Sequence, residues 1–391
     1  MSEPRVAFVI HSLVVGGAEK FFISLVNHFY RSGHNPLVIL LSDDNELFPE
    51  MDAGVNSVII KRKFKYDLTV GRKIRAELKK HDIDTVFCVN IFSFFLLKLF
   101  YPFNRRVRFF LSLHSTIPAT TKEHLMNYAY FRSVSSRDKV LFICEAQKEY
   151  LGSRYFFHPA QSNVIYNGIN TDYFTVRNEA ALAVRRQLRQ QMGISENEPV
   201  IVKVARLFHE KGHAYAVDAL EILHNRHGRK AHLLFVGSGD ADYTKYVKEY
   251  VAKSPVSAYI HFVDHQKDVR PYHHMSDLFT LTSHKIETFS LAALEAMSSG
   301  IPCSLTRIGG AAEMITEQTG ALSESKNPAS IAASWDQVLQ RSYAPEALHR
   351  FVVDRFAIGD MITHYRKELL PGEQAIPLPD PVLAQKPMYN L

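Results

Sequence analysis

The sequence predicts an α/β protein made of two doubly wound parallel sheets that face each other across a cleft. Three observations carry that prediction. At 391 residues the chain is longer than one core ordinarily organises. Short apolar runs rich in β-branched and aromatic residues alternate with helical patterns. That alternation occurs twice, with the polar helical segment Ala180 to Gln191 between the two series.

In the first series the strands read RVAFVIH, NPLVILLS, SVIIK, TVFCVN, RFFLSLH and KVLFIC. In the second they read PVIVKVARL, AHLLFVGSG, YIHFVD, DLFTLTS and IPCSLT. Strand, helix and strand in repetition give parallel sheets with right-handed crossovers, and ligands of such sheets lie beyond the carboxyl ends of the strands. The expected units are residues 1–175 and 176–355. A helix over 356–370 is expected to pack back on the first unit. The tail, residues 371–391, carries five prolines and suits neither regular helix nor central strand.

Composition narrows the class. With 46% hydrophobic and 22% charged residues the chain reads as soluble and globular. The longest apolar candidate, Val86 to Phe103, is interrupted by Asn90 and Lys98 and falls short of a bilayer span. The N-terminus lacks a signal-peptide pattern, and the three cysteines, Cys88, Cys144 and Cys303, have neither disulfide nor metal spacing. A reducing cytoplasm is the expected compartment. Charge is unevenly placed: residues 1–175 hold 22 Lys and Arg against 16 Asp and Glu, whereas the remainder holds 24 of each. The excess clusters at Lys61 to Lys65, Gly71 to Arg75 and Asn104 to Arg108. A solvated face is the default for such runs, and a surface facing anionic lipid or nucleic acid is the alternative.

The strand ends hold the chemistry. After the first strand, Gly16 and Gly17 open a helix and let backbone approach a ligand, without the spacing of a dinucleotide motif. The fifth strand ends at His114, and His11 ends the first, where a hydrogen bond that shapes the loop is an equally good account. In the second series Arg206 and Lys211 stand at a strand-to-helix turn, a spacing that suits a bridging diphosphate. Gly237 follows the next strand, and Asp264, His265 and Gln266 follow the one after, where polar groups meet a nucleobase edge. Finally, ETFSLAALE places Glu287 and Glu295 eight positions apart. A helix beginning near Thr288 would put both acids on nearly one face, with Ser290 as a cap or donor at its N-terminus. Free amides there attract phosphate, and the acids accept hydrogen bonds from hydroxyls.

In their order and spacing, GGAEK, NVIYNGINTDYF, VARLFHEKG, VGSGD, ETFSLAALEAMSSGIP and GGAAEMITEQTGAL resemble the retaining nucleotide-sugar glycosyltransferases of family four. That family has the GT-B fold of two Rossmann-like domains. The resemblance implies that Arg206 and Lys211 hold the donor diphosphate and stabilise it as it leaves. It implies that Glu287 binds hydroxyls of the transferred sugar and Glu295 the ribose. Phe289, Ser290 and Leu291 would complete the phosphate site, Gly237, His265 and Gln266 would line the donor, and His114 would stand near the reacting sugar. Gly16 and Gly17 match the loop that closes over phosphate and acceptor. Thr288, Cys144 and Asp264 depart from the common pattern, in which glycine, serine and glycine are usual.

The implied reaction loses the diphosphate and is attacked from the same face, with no metal or other cofactor. The partners implied are a UDP- or GDP-sugar and a glycan or lipid-linked acceptor, with no nucleic acid. Asp240 to Asp242 imitates a metal-binding pair and is read as a loop. The basic and aromatic stretch Phe92 to Phe110 is read either as contact with an anionic membrane at the inner face of the cell or as an ordinary core helix. A GT-B epimerase, which needs no acceptor, and a noncatalytic scaffold remain the alternatives in function.

Overall fold

The computed structural model describes residues 5–14, 16–64, 67–101, 106–114, 121–155, 161–285 and 287–371. Strands β1 (Val6–Ile10), β2 (Leu37–Leu40), β3 (Asn56–Ile59), β4 (Thr85–Cys88), β5 (Arg108–Leu113), β6 (Lys139–Phe142) and β7 (Ser162–Val164) form one sheet. Its order is β3-β2-β1-β4-β5-β6-β7, and every pairing is parallel. Helices α1 (Gly17–Arg31), α2 (Thr69–Lys80), α3 (Ile91–Phe100), α4 (Thr121–Phe131) and α5 (Glu145–Gly152) make its crossovers.

Helix α6 (Glu179–Gln191) leads into the second sheet, made of β8 (Val200–Val204), β9 (His232–Val236), β10 (Ile260–Val263), β11 (Leu278–Leu281), β12 (Cys303–Thr306) and β13 (Gly320–Ser323). Its order is β10-β9-β8-β11-β12-β13, again wholly parallel. Around it run α7 (His213–His227), α8 (Ala241–Ala252), α9 (Arg270–Met275), α10 (Leu291–Ser298), α11 (Ala311–Met314) and α12 (Pro328–Gln340). The order reverses between β1 and β4 in one sheet and between β8 and β11 in the other. Those reversals open the crevices where such sheets bind ligands.

The strand sequences explain the layering. All five residues of β1, VAFVI, are buried, as a strand covered by helices on both faces requires. Helix α1 turns Phe21, Phe22, Leu25, Val26 and Phe29 inward, a stripe at helical spacing. Phe8 meets Phe22, Phe29 and Phe87 edge-on at centroid distances of 6.1, 5.2 and 5.6 Å. In the second unit the fully buried Trp335 donates its indole N–H to Thr280 Oγ1 at 2.9 Å, so its one polar group is satisfied.

The chain ends with α13 (Pro345–Phe356) and α14 (Ile358–Leu369). The helix expected over 356–370 starts at Ile358, after a break at Ala357, which is extended so that it can pair with Ile169. Ile169 N–H donates to Phe356 O and Ile358 N–H donates to Ile169 O, so the two chain crossings are zipped together. Beyond the break, Met361, Ile362, Tyr365 and Leu369 join the core of the seven-stranded sheet. Arg108 donates to Leu369 O at 2.8 Å and to Thr85 Oγ1 at 2.7 Å.

This packing bears on the two readings of the stretch Phe92 to Phe110. Phe94, Leu96 and Leu97 of α3 are buried, so the apolar stretch is a core helix, while Arg106 pairs with Asp82 and Arg108 braces α14. Arg105 and the tail 372–391 lie outside the described residues. No described helix is long and apolar enough to cross a membrane.

Candidate functional site

The β8–α7 turn builds the cationic side of the crevice. Leaving β8, the chain passes Arg206 and a short 3₁₀ turn, His209–Lys211, before Gly212 begins the next helix. Gly212 has φ +65°, and a Cβ there would lie 2.2 Å from Thr282 O, so only glycine lets the turn pack on the end of β11. This packing brings Lys211 Nζ to 2.9 Å from Glu287 Oε2, to which Ser283 Oγ also donates at 3.2 Å. Arg206 is exposed, its guanidinium over the Phe208 ring at 5.0 Å.

The acidic stretch departs from the simplest helical expectation. Helix α10 starts at Leu291 with Ser290 as its cap, accepting from Ala293 N–H at 3.2 Å. Glu287 therefore lies in the preceding loop and not on the helix, whereas Glu295 is on it. A tertiary contact makes the difference: Gly310 N–H donates to Thr288 O at 2.7 Å, which draws the loop away from helical geometry. Gly309, at φ +53°, packs so closely that a Cβ would lie 2.0 Å from Glu287 O. Phe289 is buried against Tyr166 and Phe356. The amides at Phe289, Ser290 and Leu291 thus sit on a braced platform.

The seven-stranded unit supplies the opposite wall. Gly17 stands close enough to Leu291 that an added Cβ would touch its Cδ1 at 3.4 Å. Gly16 precedes α1 in extended geometry. Burial raises the pKa of Glu19, an effect opposed by the positive charge of Arg206 across the cleft. Burial likewise raises that of Glu295, with Lys20 pulling it down. His114 packs on Phe21 at 4.5 Å between ring centroids and shares a hydrogen bond with Ser112 Oγ at 3.1 Å. Desolvation lowers its pKa to about 3, so its imidazole is neutral at physiological pH. His11 is engaged with Arg62.

Other candidates lie apart. Gly237 has φ +140° and a Cβ there would fall 2.3 Å from Ala205 O, so its glycine serves backbone packing beside the Arg206 turn. His265 is exposed, and Gln266 donates back to Asp264 O at 3.3 Å. Asp240, expected in a loop, is instead the N-cap of α8, accepting from Tyr243 N–H at 2.8 Å.

Two residues were not singled out by sequence reasoning. Glu313 of α11 accepts from Glu145 N–H and Ala146 N–H at 2.9 Å each and from Tyr166 OH at 2.9 Å. It caps α5 of the other sheet, fastening the two units beside the cleft. Lys203 of β8 is wholly buried beneath the Lys211 turn. A lone lysine inside VIVKV is its sequence signal, since burial of an ammonium is costly.

Two family models match in tandem: Glycosyltransferase Family 4 over residues 15–173 and Glycosyl transferases group 1 over residues 184–352. The chain belongs to the family-four glycosyltransferases. It is similar to the spore coat protein SA of Bacillus subtilis, 26% identical over 359 residues that cover 86% of this chain and 89% of that protein. An uncharacterized glycosyltransferase of Methanocaldococcus jannaschii is 30% identical over 218 residues, about half of each chain at 55% and 54%. Among solved structures, HepE of Anabaena in complex with UDP aligns with TM-score 0.77 at 18% identity, covering 93% of this chain and 99% of that one. The GT-B architecture of the family is therefore the architecture of this protein.

Proposed function

We propose that this family-four member moves a sugar from a UDP- or GDP-sugar to a hydroxyl acceptor with retention of anomeric configuration. The observation that carries the reading is the Lys211–Glu287 pair at the reversal point of the second sheet, next to Arg206 and the open N-terminus of α10. A cation pair and free amides suit a diphosphate, and a carboxylate beside them suits sugar hydroxyls. Donor binding exchanges partners: phosphate oxygens take Lys211 and hydroxyls take Glu287, so neither charge is left buried alone. Glu295 accepts from the ribose, Gly16 and Gly17 close on the phosphates, and His265 and Gln266 reach the base.

The hard step is departure of the diphosphate. Arg206, Lys211 and the α10 dipole stabilise its developing charge from fixed positions. His114, being neutral, serves as a hydrogen-bonding group beside the reacting sugar and not as an acid. The acceptor is a hydroxyl of a glycan or lipid-linked precursor presented to the seven-stranded unit. Supporting that side are the positive excess of residues 1–175 and the exposed Phe64, Leu68, Leu125 and Tyr128. Sedimentation with phosphatidylglycerol vesicles tests it, with binding at low salt expected and none at either salt ruling out membrane contact.

Proton NMR of the first product formed in EDTA tests the chemistry. A retained anomeric proton signature is expected. Inversion, or activity lost in EDTA and restored by magnesium, overturns the mechanism.

A further inference from the structure

Beneath the proposed diphosphate site lies a charge that the reaction has not used. Lys203 is 0% exposed, and its Nζ donates to Lys211 O at 2.7 Å and to Thr282 Oγ1 at 3.0 Å. Thr282 Oγ1 in turn donates to Gly212 O at 2.7 Å. The ammonium thus ties the Lys211 turn to the end of β11, the two segments that hold Lys211 and Glu287. Both of its contacts are neutral oxygens.

Four titratable groups face it: Lys211 from the 3₁₀ turn, His213 from α7, and His284 and Glu287 from the β11–α10 loop. Burial and neighbouring cations lower the pKa of both histidines, which leaves them neutral. Glu287 is then the anion that acts on Lys203, and it is already paired with Lys211. A wholly buried ammonium with no carboxylate of its own is a costly state. A diphosphate bound at Arg206 and Lys211 supplies the missing negative charge from outside.

Resting on the donor reading above, we propose that Lys203 is a positioning residue whose protonation is linked to diphosphate occupancy: the bound diphosphate draws a proton from solvent onto its amine. In the empty cleft burial and the Lys211 charge lower its pKa to about 7. An adjacent anion raises it again, and by reciprocity protonation tightens diphosphate binding. Binding gains the full benefit below pH 7 and loses it as pH rises through the higher pKa of the occupied state.

The test is calorimetric titration of UDP, and separately GDP, into the full chain at pH 7.5 in buffers of different ionisation enthalpy. Wild type is expected to take up ~0.7 proton per nucleotide, the difference between a pKa near 7 and one well above the working pH. Lys203→Met is expected to bind more weakly with no uptake. Lys203→Arg, permanently charged, is expected to show no uptake while keeping its affinity up to pH 9. Wild-type binding without proton uptake, or undiminished uptake by Lys203→Arg, overturns the proposal and leaves the donor reading intact. If Lys203→Met fails to fold, wild type and the arginine variant still decide. Failure of wild type to bind either nucleotide overturns the donor reading and this one together.

Discussion

The two sheets share one topology and differ at their carboxyl ends. In the six-stranded sheet the ends at the reversal point carry Lys203, Lys211 and Glu287, locked by Gly212 and Gly309 at positive φ. In the seven-stranded sheet β1 ends at His11 and β5, one strand beyond the reversal point, ends at His114, which is neutral and packed on Phe21. On one wall the charges at the strand ends are locked together in a pair, and on the other the strand ends carry imidazoles. A site for a constant diphosphate profits from preorganised charge. A wall that meets a variable acceptor profits from groups that tolerate change.

The largest expected effect breaks that asymmetry directly. Glu287→Ala or Lys211→Ala removes one partner of the 2.9 Å pair and one of the contacts proposed for the donor. Charge-assisted hydrogen bonds contribute roughly 1.5 to 3 kcal/mol, so each variant should lose about 10- to 150-fold in kcat/KM. Far-UV circular dichroism should be unchanged. Near-native kcat/KM in both would show that the chemistry lies elsewhere.

A smaller effect is a pH response at the α1–α14 contact of the seven-stranded unit. His28, 8% exposed, meets Ser32 and Arg366 between α1 and α14, and burial with the Arg366 charge lowers its pKa to about 4. The fold thus disfavours the protonated form. Stability is unaffected above the unfolded pKa near 6.5 and falls as pH drops from there toward 4, by about 1.4 kcal/mol per pH unit. Urea unfolding at pH 7 and pH 5 should show a drop of roughly 2 kcal/mol from this residue, and His28→Gln should shrink it by that amount. An equal drop in both proteins would remove His28 as the cause.

What the sequence displays follows from the range of the forces involved. Strands such as VAFVI and LLFV are legible because burial on both faces demands continuous apolar residues. The edge strands β7 and β13, SNV and GALS, are short, small and polar, and their pairing comes from neighbours and not from composition. That Lys211 and Glu287 belong to one crevice is legible through motif order. The loop that carries Glu287 was not, because Thr288 and Phe289 are held off the helix by Gly309 and Gly310, which lie some twenty residues on in the chain. Glu313 gave no local sign of its role, since the amides it caps are 168 and 167 residues away. The start of the helix expected over 356–370 lies two residues later for the same reason, the deciding partner of Ala357 being Ile169.

The smallest expected effect is the sharpest test of the asymmetry. Asn90 caps α3 at the end of β4, accepting from Ser93 N–H at 2.8 Å, and Ser290 caps α10 on the other wall, accepting from Ala293 N–H at 3.2 Å. Removing either side chain leaves one helix-terminal amide without its acceptor, so Asn90→Ala and Ser290→Ala should each cost about 1 kcal/mol of stability. Their effects on ligand should differ. The α10 N-terminus is one face of the proposed phosphate site, and a frayed first turn there misaims its amides. Ser290→Ala should therefore weaken UDP or GDP binding several-fold at equal stability loss, while Asn90→Ala should leave it unchanged. Paired urea unfolding and nucleotide calorimetry on the two variants measure both quantities. Equal weakening by both would mean that nucleotide affinity follows global stability, and the fixed wall would lose its claim to be the donor side.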